Sequence, residues 1–273
     1  MRKSVRSGFR TQLVVAALVG VALTLALSPA LLAAGNVLKV GATPVPHAEI
    51  LQVVKPLLEK QGIKLEIVEF QDYVQPNLAL DAGELDANYF QHIPYLETFA
   101  KDHKLKLTYI AKVHIEPMGV YSNKVKKLSD LRNGAVVGIP NDPTNGGRAL
   151  LLLQSAKLIT LKKGVGVTPT VFDIVQNPKR LQIKELEAAQ LPRALPDLDA
   201  AVINGNYAIQ AGFNPTKQAL FLENEESPYV NVLAVRVADK DNKNLKALAA
   251  ALRSKEVKDF ILKKYQGAVV PVF

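Results

Sequence analysis

The chain has 273 residues, 48% of them apolar, with 34 Lys and Arg against 25 Asp and Glu and no Cys or Trp. That length allows one large domain or two ordinary ones, and the apolar share excludes wholesale disorder. The lack of cysteine excludes a disulfide framework, a thiolate metal site, a Cys nucleophile and a lipid-bearing thiol. The net charge of +9 is concentrated at the start, where Arg2, Lys3, Arg6 and Arg10 meet no acid before Gly35, so the remainder is only mildly basic.

In chain order, residues 1–34 read as a secretory signal peptide. A basic start is followed by an uncharged run from Leu13 to Leu27, then Pro29, then Ala33 and Ala34 as a cleavage site. The run is shorter than the ~20 residues that span a bilayer, although a retained anchor is the competing reading. Val37–Ala42 reads as a buried strand. A helix is expected over Ala48–Lys60, with Ile50, Val53, Val54, Leu57 and Leu58 on one face and Gly62 as its stop. Leu65–Phe70 is a strand, Tyr73–Leu80 a helix interrupted by Pro76, Ala87–Phe90 a short extended piece and Pro94–His103 a helix. Leu107–Tyr121 reads as one long extended stretch. Leu128–Leu131 is a helical turn, Ala135–Ile139 a strand and Thr144–Ala156 a helix. Ala200–Ile203 is a strand, Tyr207–Ala211 a helix and Val230–Val237 a strand, and one long amphipathic helix is expected over Asn244–Tyr265. This alternation predicts an α/β protein with two lobes, each a mostly parallel sheet flanked by helices, and a ligand cleft between them. The predicted division places residues 36–121 and 231–273 in one lobe and 122–230 in the other, with hinge closure about the crossing strands.

Three segments carry chemistry. In VVGIPNDPTNGGRALLLL, a strand ends at Pro140, Asp142 or Thr144 can cap the next helix, and Gly146 and Gly147 permit close backbone approach to a ligand. Arg148 then falls in the helix's first turn, where the dipole and the guanidinium suit a carboxylate. An ordinary capped helix with an exposed arginine fits the same residues. In EFQDYVQPNLALDAGELDANYFQHIPYL, residues Tyr73, Tyr89, Phe90, His92 and Tyr95 could cage an apolar or thioether side chain. Core packing is the alternative for the rings, and a hydrogen-bonded structural role for His92. Asn204 and Asn206 follow a strand, and Asn231 sits in an apolar run, where a buried amide needs a partner. Asn204-Gly205 also fits a plain turn. No G-x-S-x-G, H-E-x-x-H, Walker or G-x-G-x-x-G pattern occurs, which argues against an enzyme and against a nucleotide cofactor. The run Lys124, Lys126, Lys127 lacks interleaved aromatics, which argues against a nucleic-acid surface.

The segments ATPVPHAEIL, DYVQPNLAL, DANYFQHIPYL, VGIPNDPTNGGRALLLLQ, GVGVTPTVFDIVQNPK, ELEAAQLPRAL, AVINGNYA and ESPYVNVL, in this order, resemble the methionine-binding proteins of the NlpA/MetQ lipoprotein family. The resemblance runs from about Val37 to the C-terminus. It implies a two-lobed periplasmic-binding-protein fold that delivers methionine to an ABC importer, with the permease and ATPase complex as partner and no cofactor. It further implies that Tyr73, Phe90, His92 and Tyr95 line the side-chain pocket. Asn145 and Arg148 would hold the carboxylate, and Asn204 and Asn231 the ammonium and backbone end. The family's lipobox ends in Cys, whereas here Leu32-Ala33-Ala34 is followed by Gly35, so a periplasmic monomer without a lipid anchor is expected. The alternatives are a binder of D-methionine, another apolar amino acid or a methionine-containing dipeptide, a metal-binding protein using His92, His103 and His114, a hydrolase on the same scaffold, or an adhesin.

Overall fold

The computed structural model describes residues 36–224 and 227–273, so the expected signal segment, residues 1–34, lies outside the described residues. Along the chain, strand β1 (Val37–Ala42) leads to helix α1 (Glu49–Glu59), whose buried face is Ile50, Leu51, Val54 and Leu58. Strand β2 (Lys64–Glu69), helix α2 (Gln75–Asp81), strand β3 (Ala87–His92) and helix α3 (Ile93–Asp102) follow. The expected extended stretch over Leu107–Tyr121 is two strands, β4 (Leu107–Ile115) and β5 (Gly119–Tyr121), broken at Glu116-Pro117-Met118. Next come β6 (Val136–Pro140), α4 (Pro143–Ser155), the hairpin of β7 (Thr160–Leu161) and β8 (Ile174–Gln176), and β9 (Gln182–Leu186). The chain continues through α5 (Leu191–Ala194), β10 (Ala200–Ile203), α6 (Gly205–Gln210), α7 (Pro215–Gln218), β11 (Phe221–Leu222) and β12 (Val230–Arg236).

The long helix expected over Asn244–Tyr265 is instead α8 (Lys243–Leu252) and α9 (Lys255–Tyr265). Ser254 breaks it: its hydroxyl accepts from Val257 N and caps the second helix, a role serine takes in preference to the helix interior. Strand β13 (Val270–Pro271) ends the elements.

The strands form two main sheets, ordered β13-β4-β12-β3-β1-β2 and β11-β5-β10-β6-β9. The α/β class is as expected, but each sheet is mixed rather than mostly parallel. In the first, β1 pairs in parallel with β2 and β3, while β12 runs antiparallel to β3 and β4. In the second, β6 is parallel to β9 and β10, while β5 is antiparallel to β10 and β11. The antiparallel partners are the strands next to where the chain passes from one sheet to the other, and a strand arriving without a helical crossover is free to run in the reverse sense. Gly119–Tyr121, expected with the first lobe, thus pairs inside the second sheet.

Each sheet buries its own apolar set. Val40, Leu65, Leu233 and Val235 pack against α1, α8 and α9, and Val120, Val137, Ile139 and Val202 pack against α4. The two passages between the sheets are tied together. Glu223 N donates to Met118 O at 2.9 Å, and Met118 N donates to the Glu223 carboxylate at 3.3 Å. Among the described residues no helix is long and apolar enough to cross a membrane.

Candidate functional site

One cavity collects residues of strands β3 and β12 together with residues of helix α4 and of the β10–α6 junction. Its lining includes the eight residues that the resemblance implies as contacts, Tyr73, Phe90, His92, Tyr95, Asn145, Arg148, Asn204 and Asn231, whereas Tyr89, expected in the same cage, packs in the core beneath and bonds His114. Gln91, Glu116, Gly205 and Asn206 complete it.

One wall is aromatic. The rings of Tyr73 and Phe90 lie 5.9 Å apart, Tyr73 and Tyr95 5.8 Å, and Phe90 and Tyr95 6.1 Å. Behind them Tyr207, which sequence reasoning did not single out, stacks on Tyr73 at 4.9 Å. The Tyr95 hydroxyl donates to Tyr73 O at 2.9 Å and the Tyr73 hydroxyl to Asn206 Oδ1 at 2.6 Å, so the rings are held by their polar tips. Burial pushes both phenols well above their usual range, so they stay neutral donors.

The opposite wall is built on the start of α4. Asp142 caps it, accepting from Asn145 N at 2.9 Å, and Pro143 fills the first turn. The two glycines serve packing. A Cβ on Gly146 would meet Pro140 O at 2.8 Å, and one on Gly147 would meet Thr168 Cα at 2.8 Å. They let the helix approach strand β6 and the segment beyond β7, not a ligand as the sequence pattern implied.

From this cap a chain of hydrogen bonds is forced in one sense. A carboxylate only accepts, so Asn145 turns its Nδ2 to Asp142, at 3.0 Å from both oxygens. Asn145 Oδ1 therefore accepts, from His92 Nε2 at 3.0 Å and from Asn204 Nδ2 at 2.8 Å. His92 Nδ1 in turn accepts from Tyr95 N at 3.2 Å. Asn204 Oδ1 is left buried and without a partner in the chain. A buried acceptor with nothing to accept is costly, and its residue is on the cavity lining. Asn145 has its amide hydrogens engaged by Asp142, so it orients Asn204 and His92 rather than offering those hydrogens to an anion.

Arg148 is buried rather than exposed. Its guanidinium grips both carboxylate oxygens of Glu223, with Nε to Oε1 at 3.0 Å, and a further N–H donates to Glu116 O at 2.8 Å. Its flat face lies 4.3 Å from the centre of the Tyr229 ring.

The floor is a buried polar cluster. Glu116 accepts from His114 Nε2 at 2.7 Å, from His47 Nε2 at 3.2 Å and from Asn206 N at 2.9 Å. Thr43 sits 2.7 Å from His47 Nδ1, Tyr89 2.5 Å from His114 Nδ1, and Asn231 Oδ1 accepts from His47 Nε2 at 3.1 Å. With each Nε2 donating, the hydroxyls fill the Nδ1 positions and both rings are neutral. Burial pulls His47 down to about 4 and His92 and His114 down to about 3. Burial pushes the Glu116 carboxyl up, against the pull of His47, Arg148 and the Asn206 N–H.

The metal reading on His92, His103 and His114 does not hold. His103 is exposed at the end of α3, stacked on Phe99, and His92 is bonded to Asn145. Among the described residues the one metal-like grouping is His47, His114 and Glu116, and each of its facing atoms is already in a hydrogen bond.

Residues 38–273 match the NlpA lipoprotein family. The chain is 47% identical over 240 residues to the D-methionine-binding lipoprotein MetQ of Yersinia pestis, covering 87% of this chain and 89% of that one. Among solved structures, it is similar to a nutrient-binding protein of Burkholderia cenocepacia bound to methionine, at 51% identity and TM-score 0.84, covering 86% of this chain and all of the other. It is also similar to the methionine-binding protein MetQ, at 46% identity and TM-score 0.85, covering 87% of this chain and 98% of that one.

Proposed function

Because the chain belongs to the NlpA lipoprotein family, we propose that it is a solute-binding protein that captures methionine in this cavity and delivers it to an ABC importer. The observation that carries this reading is that three aromatic rings and a set of buried polar side chains line one cavity, with Asn204 Oδ1 left unpaired. The thioether lies against Tyr73, Phe90 and Tyr95, since sulfur packs well at ring edges. Asn204 and Asn231 take the ammonium end, and Arg148 faces the carboxylate. The role is binding without a reaction. The two sheets with their helices act as lobes that close on the ligand about the passages near Glu116 and Glu223.

The relatives are named for D-methionine, so both enantiomers belong in the test. A ligand at 100 times its dissociation constant stabilises the folded state by ~2.7 kcal/mol. A thermal-unfolding screen of amino acids is expected to show that stabilisation for methionine, and leucine or lysine giving it instead would overturn the assignment.

We infer further that the protein is exported as a soluble periplasmic monomer. Relatives carry lipoprotein names, but this chain has no cysteine to acylate and holds Gly35 at the corresponding place. Mass spectrometry of the mature protein is expected to find an unacylated N-terminus at Gly35, and a lipid adduct refutes it.

A further inference from the structure

Helix α6 is tied to the edge of the first sheet by side chains that are not on the cavity lining. The helix follows β10 of the second sheet, and its start is fixed at a passage between the sheets. A Cβ on Gly205 would meet Glu116 Cβ at 2.9 Å, and Asn206 N donates to the Glu116 carboxylate at 2.9 Å. One turn apart, Tyr207 and Gln210 share a face of the helix. Both end on Gln71, which follows β2 of the first sheet. The Tyr207 hydroxyl donates to Gln71 O at 3.0 Å, and Gln210 Nε2 donates to Gln71 Oε1 at 3.0 Å. The segment they grip is stiff, because Asp72 Oδ1 accepts from Val74 N at 2.7 Å and from Gln75 N at 2.9 Å and so fixes the turn into α2. The Tyr207 ring also stacks on Tyr73 at 4.9 Å, and it does so from a separate surface groove that it lines with Gln71 and Gln210.

We propose that Tyr207 is a positioning residue for solute capture: with Gln210 it forms a clasp that shuts on Gln71 when the lobes come together and backs Tyr73 against the solute. Tyr73 is on the cavity lining, whereas neither side chain of the clasp is. The clasp therefore sets how long a bound solute stays and not which solute is chosen. A contact made only after closure adds affinity through slower release and leaves the encounter with the open form untouched. This rests on the methionine reading above.

The test is stopped-flow kinetics with methionine on the parent and on Tyr207→Phe, which keeps the stacked ring and removes only the hydroxyl. Release is expected to quicken about fivefold, the scale of one neutral hydrogen bond, while association stays within about twofold. Urea unfolding without methionine is expected to be unchanged, because the groove admits water to Gln71 O. Slower association with release at the parent's rate overturns the proposal. So does a loss of methionine-free stability with release unchanged, which marks Tyr207 as a core support only. A second arm uses the lack of any native cysteine. In a Gln71→Cys, Gln210→Cys double variant, a short bismaleimide is expected to join the two positions several-fold faster with saturating methionine than without it. Equal rates show that the contact does not depend on closure and overturn the clasp. A parent that fails to bind methionine defeats the methionine reading itself, whereas a parent that binds beside a variant that releases at the same rate defeats only the clasp.

Discussion

Replacing Arg148 with alanine is expected to cost about 3–5 kcal/mol of folding stability, the scale for removing one partner of a buried ion pair. The guanidinium sits between two acidic residues, gripping the Glu223 carboxylate and the backbone oxygen of Glu116 while covering the face of Tyr229. Alanine leaves Glu223 and Glu116 in one interior region with no cation between them, and opens the space the guanidinium filled. Methionine binding is expected to fall with it, because the polar wall would lose its shape. Urea unfolding measures the first effect and calorimetry the second. An Arg148→Ala protein as stable as the parent would show that the ion pair is worth little where it stands.

Phe90→Ala is expected to destabilise by about 3–5 kcal/mol, as large aromatic truncations in packed sites do. Phe90 is buried with Tyr95 and Phe99, against Tyr73, Leu78 and Leu105, and its ring keeps Tyr73 and Tyr95 at their separations. Those two rings form the rest of the aromatic wall, so the truncation also widens the cavity where the thioether is held. Phe90→Leu fills much of the same volume and is expected to lose less than half as much of either quantity. Thermal unfolding with and without methionine separates stability from binding. If alanine and leucine behave alike, the wall does not depend on a ring at this position.

Much of the architecture was legible because it is written in local periodicity. The apolar face of α1, the strand β1 and the cap-and-glycine start of α4 are short-range signals, and the structure has them within a residue or two of where they were read. Of the eight candidate lining residues, the clustered rings and His92, Arg148 in a helix's first turn and the asparagines at or near strand ends stand out locally, whereas Asn145 comes only from the resemblance. What was hidden is what meets them across the chain. Glu116 lay inside an extended apolar stretch read as one strand, where a single acid before proline gives no sign of two histidines converging on it. Glu223 lies in the run Leu222-Glu223-Asn224-Glu225-Glu226, to which the sequence analysis assigns no role. Only the tertiary approach of β11 to α4 reveals it as the partner of Arg148. The glycines were recognised as a close approach but attributed to the wrong neighbour, since sequence gives the need for space and not what occupies it. The split between α8 and α9 was available from Ser254 and was outweighed by an unbroken amphipathic pattern.

The bonds joining Met118 to Glu223 fasten the outbound and returning connections to each other close to where Arg148 is anchored. Mechanically, the molecule therefore has one strap between its halves where the backbone trace draws two. A solute that tugs on the guanidinium loads both connections at once, and a rearrangement confined to either would have to break the fastening first. The fastening lies at the passages between the sheets, apart from the rings of Tyr73, Phe90 and Tyr95.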